Sequence, residues 1–559
     1  MKNNNTTTNE NTSIKNNINE NTPMKNSNVK RRDFMKLLAG GGTAGALASV
    51  GQLAMMSDAA AASPGENFTG YKALVCVFFL GGNDSFNMLI PSDASHADYA
   101  AIRAALAVQK NDLGLSSISS AIKNGTLGSG TNNPYNVDRT QEKAYTSGYY
   151  DLSGSKGINL GVNALMPEFA QLVTDNKLSI IANCGNMVAP VTKQQIKDKT
   201  ANLPLFLFAH NHQQRALQTG QANNLTGIGW AGKIADKWKG INNDSPLGLN
   251  ISYSGNNRML IGNQTSPLVL SPGTPPALFE MQAYRNTYDD QRRALFKDLI
   301  RVGKNSVNPF QRLESNLLDR SITNFDALRE SWVNNDITYT TKGPYGEDLF
   351  AVPTASTLGF RENIGSGFIK RMETIAKMVE LGATDAFNTG NYKRQVFFVG
   401  MSGFDTHSAQ AKGHSKLLRE ISLGLWKFQK ALEELGHEEK VTTFSMSDFG
   451  RTMTVNANLG TDHAWGGHHF IMGGSGNNQP GNLKGGKMFG TLPDLAPDSR
   501  DDYGKQGRVI PTTAQDQINA SICEWFGVDE SSISEIFPNL KNFETIPGNK
   551  KSAYLDLFA

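Results

Sequence analysis

Tyr71-Lys72-Ala73-Leu74-Val75-Cys76-Val77-Phe78-Phe79-Leu80 runs directly into Gly81-Gly82-Asn83-Asp84. The run is apolar without alternation, the pattern of a strand covered on both faces, as in a parallel sheet. Glycine ends it, so Asp84 emerges at a strand's carboxyl end, the edge where open α/β sheets bind ligands. A turn aspartate capping the next segment would read the same way.

Working outward, the pattern recurs. Arg394 to Gly400 (RQVFFVG) leads into Gly403-Phe404-Asp405-Thr406-His407, then a helix from about Ala411 to Leu435 with Leu417, Leu418, Ile421, Leu425, Phe428 and Leu432 at spacings of three and four. Lys440 to Met446 (KVTTFSM) ends at Ser447-Asp448-Phe449-Gly450-Arg451-Thr452. Leu178 to Cys184 (LSIIANC) follows a helical stretch, Met166 to Thr174, with Pro167 placed for a first turn. Strands separated by crossover helices predict an α/β fold, a mainly parallel sheet with helices on both faces. Residues 92–155 and 240–350 read as insertions in one body spanning 70–559. In the second, short strands (Leu247 to Tyr253, Met259 to Ile261, Leu268 to Leu270) precede amphipathic helices near 284–303 and 311–333, an α+β cap that would shape access to a site.

Thr461 to His469 (TDHAWGGHH) packs one carboxylate and three imidazoles into nine residues. Asp462 and His463 are favoured as ligands, and His469 ahead of His468 because adjacent side chains seldom point the same way. Leu205 to Gly220 (LFLFAHNHQQRALQTG) carries His210 and His212, which at i and i+2 do not share a helix face. In an irregular turn at a helix start both could look into a site, where free N–H groups would favour an anion; hydrogen-bonded loop histidines would read the same way. His414 reads as core and His96 as a surface histidine. If the strands are parallel neighbours, Asp84, Asp405 and Asp448 share one edge with His407 and His463. Mixed Asp and His ligands suit zinc or manganese, and oxygen-rich sets tolerate magnesium or calcium. Two such ions would clamp the attacking and leaving oxygens of an ester hydrolysis.

Of 559 residues 39% are hydrophobic and 19% charged, with a net charge of +3 and dispersed Lys and Arg, which argues against a nucleic-acid partner. Residues 1–30, rich in Asn, Thr, Lys and Glu, predict a disordered extension. Lys30-Arg31-Arg32-Asp33-Phe34-Met35-Lys36, a Gly- and Ala-diluted apolar stretch from Leu37 to Met56, and Ala59-Ala60-Ala61-Ala62-Ser63 form a basic region, an apolar region and a small-residue cleavage site. The paired arginines make 31–62 resemble a twin-arginine export signal. The expected product is exported, periplasmic or extracellular, with the twin-arginine machinery as a partner and no stable membrane span after processing. Three scattered cysteines do not make a disulfide scaffold, though a Cys184 to Cys523 bridge stays open.

Gly81-Gly82-Asn83-Asp84, the segment from His210-Asn211 to Gln218-Thr219-Gly220, Phe404-Asp405-Thr406-His407, Ser447 to Thr452 and Gly460-Thr461-Asp462-His463 resemble, in this order, the blocks of the DUF1501 family, grouped with the alkaline phosphatase and sulfatase superfamily. The resemblance implies an alkaline-phosphatase-like fold. It also implies metal ligation by Asp84, Asp405, His407, Asp448 and His463. The implied activity is a two-metal hydrolase of phosphate or sulfate esters acting on a small-molecule or glycan ester, with Arg451 or His210 stabilising the anionic transition state. Two departures favour an alternative, a non-catalytic envelope protein that binds a glycan, an anion or a protein partner. Ala209 stands where the family has Ser, and Phe449 where the superfamily has a strand-end His. Neither Cys184 nor Cys523 begins a formylglycine sulfatase pattern.

Overall fold

The computed structural model describes residues 68, 70–115, 141–239, 247–275, 287–387 and 393–559, so the expected extension and export signal lie outside the described residues. The strands are β1 (Lys72–Leu80), β2 (Leu89–Pro91), β3 (Tyr149–Asp151), β4 (Leu160–Asn163), β5 (Leu178–Gly185), β6 (Asn250–Ser252), β7 (Leu268–Val269), β8 (Arg394–Ser402), β9 (Val441–Ser447), β10 (Gly467–Gly473), β11 (Met488–Gly490) and β12 (Thr513–Ala514). The helices that matter below are α1 (His96–Arg103), α2 (Pro167–Thr174), α3 (His210–Thr219), α4 (Trp230–Lys237), α5 (Thr287–Lys304), α6 (Pro309–Asn334), α7 (Gly367–Ala383), α8 (Gln410–Leu435) and α9 (Gln515–Phe526).

A nine-stranded sheet runs β11-β5-β10-β9-β1-β8-β6-β7, with β12 on the end of β5. β1 lies parallel between β8 and β9, and β10 is antiparallel to both β9 and β5. β1 is continuously apolar because both its faces are used. Ala73, Val75, Val77 and Phe79 enter a core with residues of α2, α7 and α8. Leu74, Cys76 and Phe78 enter a second core with residues of α4 and α9. Alternate side chains thus feed opposite cores.

Several expectations are corrected. β6 pairs in parallel with both β8 and β7, so the two strands extend the main sheet rather than building a separate one, and Arg258–Leu260 is a 3-10 turn. β5 points the same way as β1 but is separated from it by β9 and β10. His96 is buried, its Nε2 at 3.0 Å from the Val108 carbonyl. All three cysteines are free and buried, so Cys184 and Cys523 are not bridged. Within 92–155, the described residues include α1 and β3, and β3 joins the flanking β2 and β4 in a small antiparallel sheet, β2-β4-β3. Among the described residues, no helix is long and apolar enough to cross a membrane.

One carboxylate is held against its preference. Asp516, in the first turn of α9, is buried with an oxygen that lacks a partner, and burial pushes its pKa up to about 8 against the opposing pull of Lys233. A raised folded-state pKa means that the native chain keeps a proton the unfolded chain has released. The resulting stability is complete below the ordinary aspartate range and is lost as pH rises through about 8, by up to about 1.4 kcal/mol per pH unit. Asp516→Asn should therefore raise the melting temperature, with a gain that grows from pH 5 to pH 8. A gain that shrinks over that range in scanning calorimetry would contradict this.

Candidate metal centre

Parallel pairing sets the ends of three strands side by side: Leu80 opposes Ser402, and Phe79 opposes Ser447. The loops that follow carry Asp84, Asp405 with His407, and Asp448. Their close approach depends on glycine. Gly81 has φ +114°, and a Cβ there would lie 2.5 Å from the Asp405 nitrogen. A Cβ on Gly460 would lie 2.2 Å from the His407 carbonyl carbon, so only glycine lets the 456–463 loop close over the 405–407 loop.

Over this edge three imidazoles and one carboxylate converge. His210, the first residue of α3, places Nε2 at 3.0 Å from His463 Nε2, which is 2.9 Å from His407 Nε2. Asp405 Oδ1 lies 3.5, 3.0 and 3.6 Å from the Nε2 atoms of His210, His407 and His463. Ligand bonds of about 2.0–2.2 Å around one ion imply neighbour separations of about 3.4 Å in a tetrahedral shell, the scale seen here. Ligand atoms of His210, Asp405 and His463 all lie within 4.8 Å of one another.

What stands behind the rings fixes their protons. His210 Nδ1 is 2.6 Å from Asp448 Oδ2, His407 Nδ1 is 2.9 Å from Asp462 Oδ1, and His463 Nδ1 is 2.9 Å from the Phe208 carbonyl. All three partners only accept, so in its neutral form each ring carries its proton on Nδ1 and turns the Nε2 lone pair inward. In that form three lone pairs and a carboxylate face one another, and a cation among them would offset their repulsion. Ligating histidines are usually anchored in this way, with the other ring N–H donated to an acceptor that serves as outer support.

Electrostatics favour the ligating forms. Burial raises the Asp405 pKa, but the hydrogen bond and charge of Arg451 outweigh it and hold the carboxyl below its ordinary range. Burial likewise opposes, and hydrogen bonds from Asn456 and His407 reverse, the shift at Asp462, leaving it lowered. Burial lowers the His463 pKa, only partly offset by the Phe208 carbonyl, which keeps the ring neutral. The site is open: half the surface of the Asp405 side chain and 44% of that of His407 stay accessible.

Arg451 is wholly buried. Its Nε donates to the Gly82 carbonyl at 2.9 Å and Nη1 to the Thr461 carbonyl at 3.0 Å, while Nη2 meets the Gly81 carbonyl and Asp405. It ties three loops together and orients Asp405 from behind, turned away from solvent. Asp84 is also buried, paired with Arg103 of α1 and with Gln410. Gln410 Oε1 in turn accepts from the hydroxyls of Thr406 at 3.0 Å and Thr461 at 2.6 Å, one residue from His407 and from Asp462. Asp84 thus supports the loops without joining the converging groups.

His469 is not among those groups either: it sits within β10 with Nδ1 3.2 Å from Ser445 Oγ, and burial pushes its pKa down to about 4. His468 accepts from the Asn183 N–H at 3.2 Å, and burial, with a smaller contribution from His469, lowers it to about 3. His212 turns away from His210, its ring 4.2 Å from that of Phe206, and His414 is a core residue bonded to Asn83 and Tyr145. Phe449 packs under the rings, 4.7 Å from His210 and 4.8 Å from His463.

Sequence reasoning missed several supporting groups. Gln214 donates to Asp448 at 3.0 Å, and Asn456 binds both Asp462 and the His407 carbonyl. Gln214 was within reach of the spacing rule, since positions four apart share a helix face with His210. Asn456 and the Phe208 carbonyl carry no pattern that sequence could expose.

The family described as "Protein of unknown function (DUF1501)" has a model that matches residues 385–531. That span holds Asp405, His407, Asp448, Asp462 and His463, and it supports the family resemblance there. No curated protein matches the chain.

Proposed function

We propose that the protein is an exported hydrolase of phosphate or sulfate esters that depends on one divalent ion held by His210, Asp405, His407 and His463. What carries the reading is the convergence of three Nε2 atoms on Asp405 Oδ1, with every Nδ1 anchored to an acceptor. The nitrogen-rich set favours zinc or manganese over magnesium or calcium. Asp84, expected among the metal ligands, instead pairs with Arg103, which supports one ion rather than two.

When bound, such an ion supplies Lewis acidity and activates water at neutral pH. The remaining work falls to the chain. Asp448 and Asp462 hold the Nδ1 protons of His210 and His407, Arg451 aims Asp405, and Phe449 seals the rings from behind. Openness at Asp405 and His407 favours a reactive centre over a structural one, because structural sites are closed. Ala209 offers no hydroxyl at the start of α3, so water is the nucleophile this reading requires. In this proposal residues 31–62 direct export and the enzyme works in the periplasm or beyond.

A second reading, ion-dependent binding of a glycan, anion or protein partner without turnover, draws on Ala209 and on the confinement of Arg451 behind the site. Elemental analysis combined with a panel of aryl phosphates and sulfates separates the two. Bound metal with chelator-sensitive release of the aryl alcohol supports hydrolysis, and bound metal without turnover supports the binding reading. Metal-free protein after reconstitution with zinc and manganese sinks both.

A further inference from the structure

The helical hairpin α5–α6 carries exposed apolar residues at its tip. Val302 closes α5, Val307 lies in the connection, and Phe310 and Leu313 open α6. All four are exposed, Val307 at 95% and Phe310 at 80%. Side chains of this kind are normally spent on the core, and scattered single ones need no explanation, but four within twelve residues at one tip do.

The tip is built rather than slack. Asn308 caps α6 by accepting from the Phe310 N–H at 2.9 Å, and Arg312 Nη1 donates to the carbonyls of Ser306 at 2.7 Å and Val307 at 3.1 Å. These bonds hold the connection in shape with Val307 and Phe310 directed outward.

The surrounding charge says what the tip fits. Between residues 297 and 316 stand Lys297, Arg301, Lys304 and Arg312 against Asp298 and Glu314, a net charge of +2. Arg301 is largely exposed beside Asp298, and Lys304 pairs with Asp319. A second copy docking here would bring two cationic tips together, which opposes self-association. Apolar residues flanked by an excess of cations suit the interface of an anionic bilayer, where the apolar groups enter the headgroup boundary and the cations meet lipid phosphates. We propose that the α5–α6 tip is a peripheral membrane contact selective for anionic lipid, an attachment independent of any spanning helix.

The test uses the full chain and vesicles of phosphatidylglycerol or phosphatidylcholine. Sedimentation should show binding to the former, weakened by salt, and the Val307→Glu/Phe310→Glu variant should bind about tenfold less while keeping its melting temperature and metal content. Because the native cysteines are buried, Val307→Cys can be labelled selectively with an environment-sensitive fluorophore. Its emission should shift to the blue with phosphatidylglycerol vesicles alone. The proposal is overturned if the label stays unshifted, if the glutamate variant binds unchanged, or if the tip instead drives a concentration-dependent dimer with no vesicle binding. None of these outcomes depends on the ester hydrolase reading.

Discussion

If the proposed ion is bound, His463→Ala should lower it from about one equivalent per chain to less than a tenth of that by elemental analysis. His463 Nε2 lies within 3.6 Å of each of the other three converging atoms, and its own Nδ1 is fixed by a carbonyl. Loss of one strong nitrogen ligand from a four-ligand set is expected to lower affinity by orders of magnitude, beyond the 10- to 100-fold typical of an outer supporting residue. Asp462→Asn supplies that milder comparison, since it weakens only the support of His407. Asp84→Asn should behave differently again: it leaves the buried Arg103 facing an amide, so thermal stability falls while the folded protein keeps its ion. If Asp84→Asn lost the metal and His463→Ala retained it, the centre would lie elsewhere.

Arg451→Leu should destabilise the protein by about 3–5 kcal/mol in denaturant unfolding, since three carbonyls lose their donor at about 1–3 kcal/mol for each that stays buried and unpaired. The substitution leaves the carbonyls of Gly81, Gly82 and Thr461 without their donor and frees Asp405 to rotate. Half of the Asp405 side chain reaches solvent, so screening reduces the ion pair's share and most of the loss belongs to the carbonyls. Arg451→Lys keeps the charge but lacks the fork that spans three loops, and should recover only part of the loss. A variant with unchanged midpoint and slope would show that the loops are held by other contacts.

Much of this arrangement was legible beforehand. Continuous apolar runs at 71–80, 394–400 and 440–446 marked buried strands because burial on both faces leaves no room for alternation, and residues just past such strands gather at one edge. That logic located Asp405, His407 and Asp448 together. It failed at Asp84, whose position past β1 is right but whose neighbour is Arg103, supplied by α1 from an inserted segment with no sequence signal for the pairing. It failed also at His469, because a histidine-rich stretch does not reveal where the loop ends and β10 begins. His463 falls before that boundary and reaches the edge, whereas His468 and His469 fall after it and enter the core.

The sequence by itself determined the α/β class, the strands that form the edge, and the residue types able to bind a cation there, because these follow from local periodicity and composition. Only the tertiary structure decided which of those residues face one another, that Arg451 stands behind Asp405 rather than before a substrate, and that each histidine is anchored through Nδ1. Those choices depend on contacts between residues up to hundreds of positions apart, whose distances and directions are set by sheet order and loop closure and leave no periodic trace in the chain.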